Sequence, residues 1–204
     1  MSDKKQTRIQ SQNREKILAA ALEVFSLDGF RGATVDAIAA AAGMSKPNLL
    51  YYYPSKDDIY RTVLEGLLEA WLDPLRALNA DGDPGREISA YMELKIEMAR
   101  DYPQESRLFA NEMLRGAPNL RDVLAGDLKA LVDEKAAILR GWMEQGKLTA
   151  MDPYHLIFAI WAVTQHYADF DVQVRALLGN DDEGRFSDAA VALKKVFLEG
   201  LKPR

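Results

Sequence analysis

The chain has 204 residues, 48% of them hydrophobic, no cysteine and a formal net charge of −5. That is enough apolar material for one or two packed domains, and without thiols there are no disulfides and no thiolate-bound metals. The longest apolar run, Leu156–Val163, is far too short to cross a bilayer. Residues 1–16 lack the apolar stretch of a secretory signal, so a cytoplasmic chain with no membrane partner is expected.

Charge is unevenly divided. Residues 1–56 carry 8 Lys/Arg against 5 Asp/Glu, whereas residues 57–204 carry 18 against 26. A basic N-terminal module on an acidic body is the electrostatic pattern of a chain that presents one end to nucleic acid. Helix-forming residues dominate and no segment alternates over strand length, so the expected class is all-α, with about nine helices.

Residues 1–13 read as a mobile polar arm, in which Lys4, Lys5 and Arg8 either contact DNA or are simply solvated. Leu18, Ala21, Leu22 and Phe25 then mark the apolar face of a first helix that ends at Gly29, with Phe30 packing beneath the next segment. In Thr34–Lys56, Val35, Ile38, Ala39 and Ala42 recur at i, i+3, i+4 and i+7. Thr34 is a suitable N-cap, and Gly43 suits a left-handed C-cap. Ser45 caps a second helix, Pro47 fits its first turn, and Pro54 stops it. Two helices joined by a short glycine-containing turn form a helix-turn-helix, whose second helix enters the DNA major groove. Its N-terminal residues Lys46, Pro47 and Asn48 are the candidates for base edges, because Asn pairs bidentately with adenine and Lys donates to guanine. Tyr51 and Tyr53 are read as packing within the head.

The run Ser45–Lys56, SKPNLLYYYPSK, and its lead-in from Phe25 to Thr34 resemble the signature of the tetracycline-repressor (TetR) family. The resemblance implies a three-helix DNA-binding head (residues 1–56) on a helical ligand-binding and dimerisation body (57–204). It also implies that Thr34, Tyr52 and Lys56 meet phosphate. The family usually has Tyr where this chain has Leu50, and His where it has Tyr52, so Leu50 is left with either a phosphate-side role or a thymine-methyl contact.

Beyond the head, Ser55 and Asp58 form a capping box opening a helix to about Leu72, with Ile59, Val63, Leu67 and Trp71 on one face. By resemblance this is the lever between head and body. Further helices are expected over Arg86–Arg100, Gln104–Leu114, Asn119–Gln145, Pro153 to about Leu178, and Ser187–Gly200. Lys95 shares the face of Tyr91, Leu94 and Met98, where an ammonium needs a partner, must reach solvent, or loses its charge. Phe158, Trp161, Ala162, Gln165 and Asp169 form a second mixed stripe. Gln165 both donates and accepts, and Asp169 accepts from a ring N–H, which suits a small planar ligand; an internal hydrogen-bonded pair is the alternative. His166 falls beside this stripe and is assigned to an interface.

Segments Arg100–Phe109, Glu112–Pro118, Gly126–Lys135 and Asp152–Phe170 resemble a pyrimidine-sensing subgroup of the same family. That implies a uracil- or thymine-sized effector near Trp71, Lys95, Trp161, Gln165 and Asp169. Leu156–Val163 is apolar all round, and the last helix carries Val191, Leu193, Val196, Phe197 and Leu198, so a symmetric homodimer through both helices is expected on a palindromic DNA operator. Nothing in the chain pairs a nucleophile with a base, cradles a phosphate in glycines or gathers a metal-ligand set, so neither an enzyme nor a cofactor is expected. A regulator sensing another metabolite, or none, stays open.

Overall fold

The computed structural model describes the backbone of residues 2–179 and 182–203, and side chains over 8–179 and 184–203. Every regular element among the described residues is helical. The chain forms two compact units: Met1–Leu68 with Leu108–Leu120, and Glu69–Arg107 with Arg121–Arg204.

In the first unit, α1 (Ser2–Gly32) begins well before the expected start. The backbone of the stretch read as an arm is therefore helical; Arg8 is exposed, and the side chains of Lys4 and Lys5 lie outside the described residues. Gly29, at φ 66° and ψ 174°, kinks this helix before its last residues, a conformation that costs glycine little. Ile17, Ala20, Ala21, Val24 and Phe25 are buried, while Leu18 and Leu22 flank them at half burial. The apolar face is thus turned by about one residue from the expected one.

Helix α2 (Val35–Ala41) starts where Thr34 Oγ1 accepts from Ala37 N at 3.1 Å. It ends at Gly43 (φ 66°), with Met44 N donating to Ala39 O at 3.0 Å, the hydrogen bond of a glycine-closed helix end. Helix α3 (Lys46–Tyr52) is capped by Ser45 and buries Leu49. Helix α4 (Lys56–Arg76) opens on Ser55, whose hydroxyl accepts from Asp58 N at 3.1 Å and donates to the Asp58 carboxylate at 2.6 Å. Phe25, Phe30 and Tyr60 pack ring against ring, with centroids 4.7–6.2 Å apart.

The end of α6 (Pro103–Leu114) and the turn after it belong to this unit. Glu112 is fully buried there. Its Oε1 accepts from Asn119 N at 2.8 Å and Asn119 Nδ2 at 3.1 Å, and its Oε2 accepts from the Tyr60 hydroxyl at 3.3 Å. A buried carboxylate persists only when hydrogen-bonded in this way. Burial, and secondarily Glu112, push the Tyr60 phenol up to about 12.

The second unit centres on α5 (Pro84–Asp101), α8 (Lys129–Glu144) and α9 (Pro153–Asp169), which pack through Ile88, Met92, Leu139, Trp142, Ile157 and Ile160. Two expected long helices are interrupted. The one expected from Asn119 begins as a short α7 (Arg121–Val123) followed by a π-helical turn, Leu124–Leu128. The one expected to reach Leu178 breaks at Phe170, and α10 (Asp171–Leu178) follows. Helix α11 (Asp182–Leu201) contributes Leu193, Phe197 and Leu201 to the core.

Two substitutions test this account. Glu112→Ala, which strands the Tyr60 hydroxyl and the Asn119 amide, is expected to cost about 3 kcal/mol in denaturant unfolding. Gly43→Ala, where only backbone strain opposes the methyl group, is expected to cost about 1–2 kcal/mol.

Candidate functional site

On the head, Thr34, Ser45, Lys46, Pro47 and Asn48 are all exposed, and Leu50 is half-buried. Pro47, Asn48 and Tyr51 share the outer face of α3, opposite buried Leu49. Tyr51 keeps 72% of its surface exposed, so it does not pack in the head as expected; its ring stands edge-on to Tyr52 at 5.2 Å. Its spacing of four from Pro47 was the available signal. Tyr53 is buried, with the Arg14 guanidinium 5.2 Å from its ring centroid.

Several candidates are engaged within the head. Lys46 Nζ lies 2.9 Å from Asp36 Oδ2 across the helix-turn-helix, an exposed pair that contributes little to stability. The Tyr52 hydroxyl accepts from Asn13 Nδ2 at 2.7 Å. Lys56 Nζ donates to the Phe30 and Ala33 carbonyls at 2.7 and 2.8 Å and sits 4.5 Å from the Phe30 ring centroid. Its ammonium closes the end of α1, a role the motif does not reveal.

In the body, α4, α5, α6 and α9 bring a second group of side chains together. Lys95 is 3% exposed, neither snorkels nor pairs with an acid, and sits 4.8 Å above the ring of buried Trp71. Trp71 Nε1 is buried without a hydrogen-bond partner. Burial lowers the Lys95 amine to about 8, a shift the Asp169 charge partly opposes. Asp169 Oδ1 accepts from Ser106 Oγ at 2.6 Å. Burial raises its carboxyl above the ordinary range, against the pull of Ser106, Arg107, Lys95 and His166.

One turn before Lys95 on α5, the Tyr91 oxygen accepts from Trp161 Nε1 at 2.5 Å, and burial raises the Tyr91 phenol. Gln165 is half-buried between Trp161 and Asp169 on α9. The expected stripe therefore divides: Trp161, Gln165 and Asp169 turn inward, while Phe158 and Ala162 are exposed. Leu94, expected on the Lys95 face, is also exposed. His166 is exposed and stacks on Phe170 at 5.0 Å. Ser106 was not among the expected residues; a lone serine in the first turns of a helix carries no signal of what it will face.

Two open concavities lie elsewhere in this unit. One, of about 620 Å³, is bordered by Asp81–Gly85, Lys147 and Lys202. The other, of about 330 Å³, runs between α9 and α11 past His155, Ala159 and Val196. Neither holds a buried polar group lacking a partner, so the Trp71–Lys95–Asp169 cluster is the stronger ligand candidate. Among the described residues no group of His, Asp or Glu is disposed to hold a metal, and no helix is long and apolar enough to cross a membrane.

Comparison with known proteins matches this geometry. Residues 17–63 fit the model of bacterial regulatory proteins of the tetR family, and residues 64–204 that of the YcdC-like protein C-terminal region. The chain is 51% identical over 202 residues to the HTH-type transcriptional regulator RutR of Escherichia coli (strain K12), covering 98% of this chain and 95% of that one. It is 27% identical over 137 residues, 67% of this chain and 64% of the other, to the HTH-type transcriptional repressor NicS of Pseudomonas putida. The fold resembles the ketosteroid transcriptional regulator KstR2 of Mycobacterium tuberculosis (TM-score 0.71, 18% identity, covering 94% of this chain and 95% of that one). It also resembles Salmonella enterica GusR (TM-score 0.70, 19% identity, covering 93% and 95%). The exposed α3 face on a helical head, the helical body and the end-to-end match to RutR place this chain in the tetR family of DNA-binding transcriptional regulators.

Proposed function

We propose that the chain is a cytoplasmic repressor that binds a palindromic operator as a homodimer and is controlled by a small pyrimidine, uracil or thymine. The observation that carries the effector reading is the buried Lys95–Trp71–Asp169 cluster, with its mixture of donors and acceptor on apolar walls. Trp71 presents a donor without an acceptor and Lys95 an ammonium, both of which suit ring carbonyls; Asp169 and Gln165 present acceptors for ring N–H groups. Cytosine, with an amino donor in place of one carbonyl, fits this arrangement poorly, because a donor facing a buried donor leaves both unsatisfied.

On DNA, Lys46, Pro47 and Asn48 at the start of α3 meet base edges, joined by Tyr51, with Leu50 beside them. Thr34, Ser45 and Tyr52 approach the phosphates, and Lys56 approaches them while holding the end of α1. The homodimer reading is supported by an apolar face of the body: Phe158, Ala159 and Ala162 on α9, with Val191 and Val196 on α11, are exposed in the single chain. Helix α4 runs unbroken from Lys56 in the head to Trp71 beside the cluster. An effector that binds one spacing of the two heads better shifts the dimer off its operator by at most that difference in affinity.

Three outcomes check this. In calorimetric titration, uracil and thymine bind at micromolar level and cytosine does not. Asp169→Asn and Gln165→Ala each weaken binding by about tenfold or more, and equal binding of all three bases removes the pyrimidine reading. Asn48→Ala is expected to cost about 1–3 kcal/mol of operator affinity in fluorescence anisotropy, concentrated at one base position. Phe158→Asp, which places a charge in the proposed interface, turns the dimer into a monomer in sedimentation equilibrium. A Phe158→Asp dimer of unchanged stability moves the interface elsewhere.

A further inference from the structure

The effector site holds a charge without contact to a counter-charge. Lys95 is almost wholly buried, and its Nζ faces the Trp71 ring, 4.8 Å from the centroid, rather than a carboxylate in salt-bridge contact. The carboxylate nearby is committed elsewhere: Asp169 takes the Ser106 hydroxyl, and Arg107 and His166 also act on it. The other groups presented around Lys95 are neutral or donating, namely the Trp71 ring with its unpartnered Nε1 and the Tyr91 phenol that receives Trp161. A buried ammonium in that setting sheds its proton or acquires an anion.

Resting on the pyrimidine reading above, we propose that Lys95 is the counter-ion of the effector, which carries an acidic N–H between two carbonyl oxygens and is bound as its conjugate anion. The ligand gives up the imide proton. The resulting charge, spread over ring nitrogen and flanking oxygens, faces the Lys95 ammonium, and the neighbouring donors serve the oxygens. A second ring N–H remains to donate to Asp169. A carboxylate ligand lacks that donor and would set one anion against another; a basic heterocycle would set a cation against Lys95. Cyclic ureides, which carry an imide N–H and a second ring N–H, meet both requirements.

The test uses the full chain and calorimetry with thymine, uracil and 5-fluorouracil, whose imide N–H groups are increasingly acidic, together with hydantoin (an acidic imide N–H and a second ring N–H without the pyrimidine ring) and 2-imidazolidinone (a cyclic urea without the acidity). Affinity is expected to rise from thymine to 5-fluorouracil by roughly tenfold or more, each pKa unit of added imide acidity being worth up to about tenfold. Hydantoin is expected to bind and 2-imidazolidinone not. In Lys95→Met, of similar volume, the three pyrimidines are expected to lie within about twofold of one another.

Wild-type protein supplies a readout independent of that variant. With the Lys95 amine near 8, the free site is protonated at neutral pH and the free ligand is neutral, so binding releases close to one proton, seen by repeating the titration in buffers of different ionisation enthalpy. Affinity therefore rises with pH up to about 8, levels, and falls once the free ligand is itself ionised and Lys95 must take up a proton to bind it. Pyrimidine binding without proton release, or an acidity order that persists in Lys95→Met, overturns this inference and leaves the pyrimidine reading in place. Hydantoin binding with no pyrimidine binding does the reverse, and silence of all these ureides removes both.

Discussion

The head is held together by a carboxylate with no access to water. Glu112 comes from α6, far along the chain from the helix-turn-helix, yet its oxygens satisfy Tyr60 on α4 and both nitrogens of Asn119. The network draws residues 108–120 into the same compact unit as the first three helices. Leaving any partner of such a group unmatched costs more than the hydrogen bond itself gains, so the position of the turn after α6 is tightly defined. That turn is also strained: Gly116 at φ 86° is followed by Ala117 at φ 49°, a conformation that an alanine keeps only when its surroundings enforce it. The Ala117 amide donates to the Glu112 carbonyl at 2.9 Å, so the same residue anchors the turn through both main chain and side chain.

The opposite end of α6 has a different chemistry. Ser106, in its second turn, donates to Asp169, where the polar groups are incompletely matched. One short helix thus carries a saturated hydrogen-bond network near its end and a partner of an unsaturated one near its beginning. In the body, apolar packing of α5, α8 and α9 provides the frame, and two of these helices also carry Lys95 and Asp169. Trp71 Nε1 is a buried donor without a protein acceptor, the kind of group the proposed effector site offers a small polar molecule.

The helix-turn-helix was legible because its signals are local. Thr34, Gly43, Ser45 and Pro47 each act within a few residues of themselves, through caps, a left-handed turn and a fixed φ. The family resemblance rested on that same stretch, and the match to the tetR family over the whole chain agrees with it. Lys95 and Asp169 could be singled out because a charge on an apolar helical face has few harmless explanations. What failed depended on direction or on long-range partners. The α1 face was turned by a residue because Leu18 and Leu22 outrank Ala20 and Val24 in size, although the smaller residues fit the close helix contact. The π turn at Leu124–Leu128 and the break at Phe170 arise without proline or an obvious stop. Glu112 carried no local signal of its burial, since its partners lie 52 and 7 residues away. Tyr51 was placed inside the head with Tyr53, although successive helical residues point about 100° apart.

Lys56 has a consequence in the thermodynamics of ions. A lysine that meets phosphate from free solution releases the counter-ion it replaces, and that release makes protein–DNA affinity fall steeply with salt. In the free head, Lys56 is already bound to the carbonyls of Phe30 and Ala33 at the end of α1 and lies against the Phe30 ring. Those carbonyls are neutral, so the ammonium keeps its charge and the fold fixes only its position. At the proposed phosphate contact Lys56 therefore releases a counter-ion as any exposed cation of the head does, but loses less side-chain freedom in doing so, because it is already held at the base of α4.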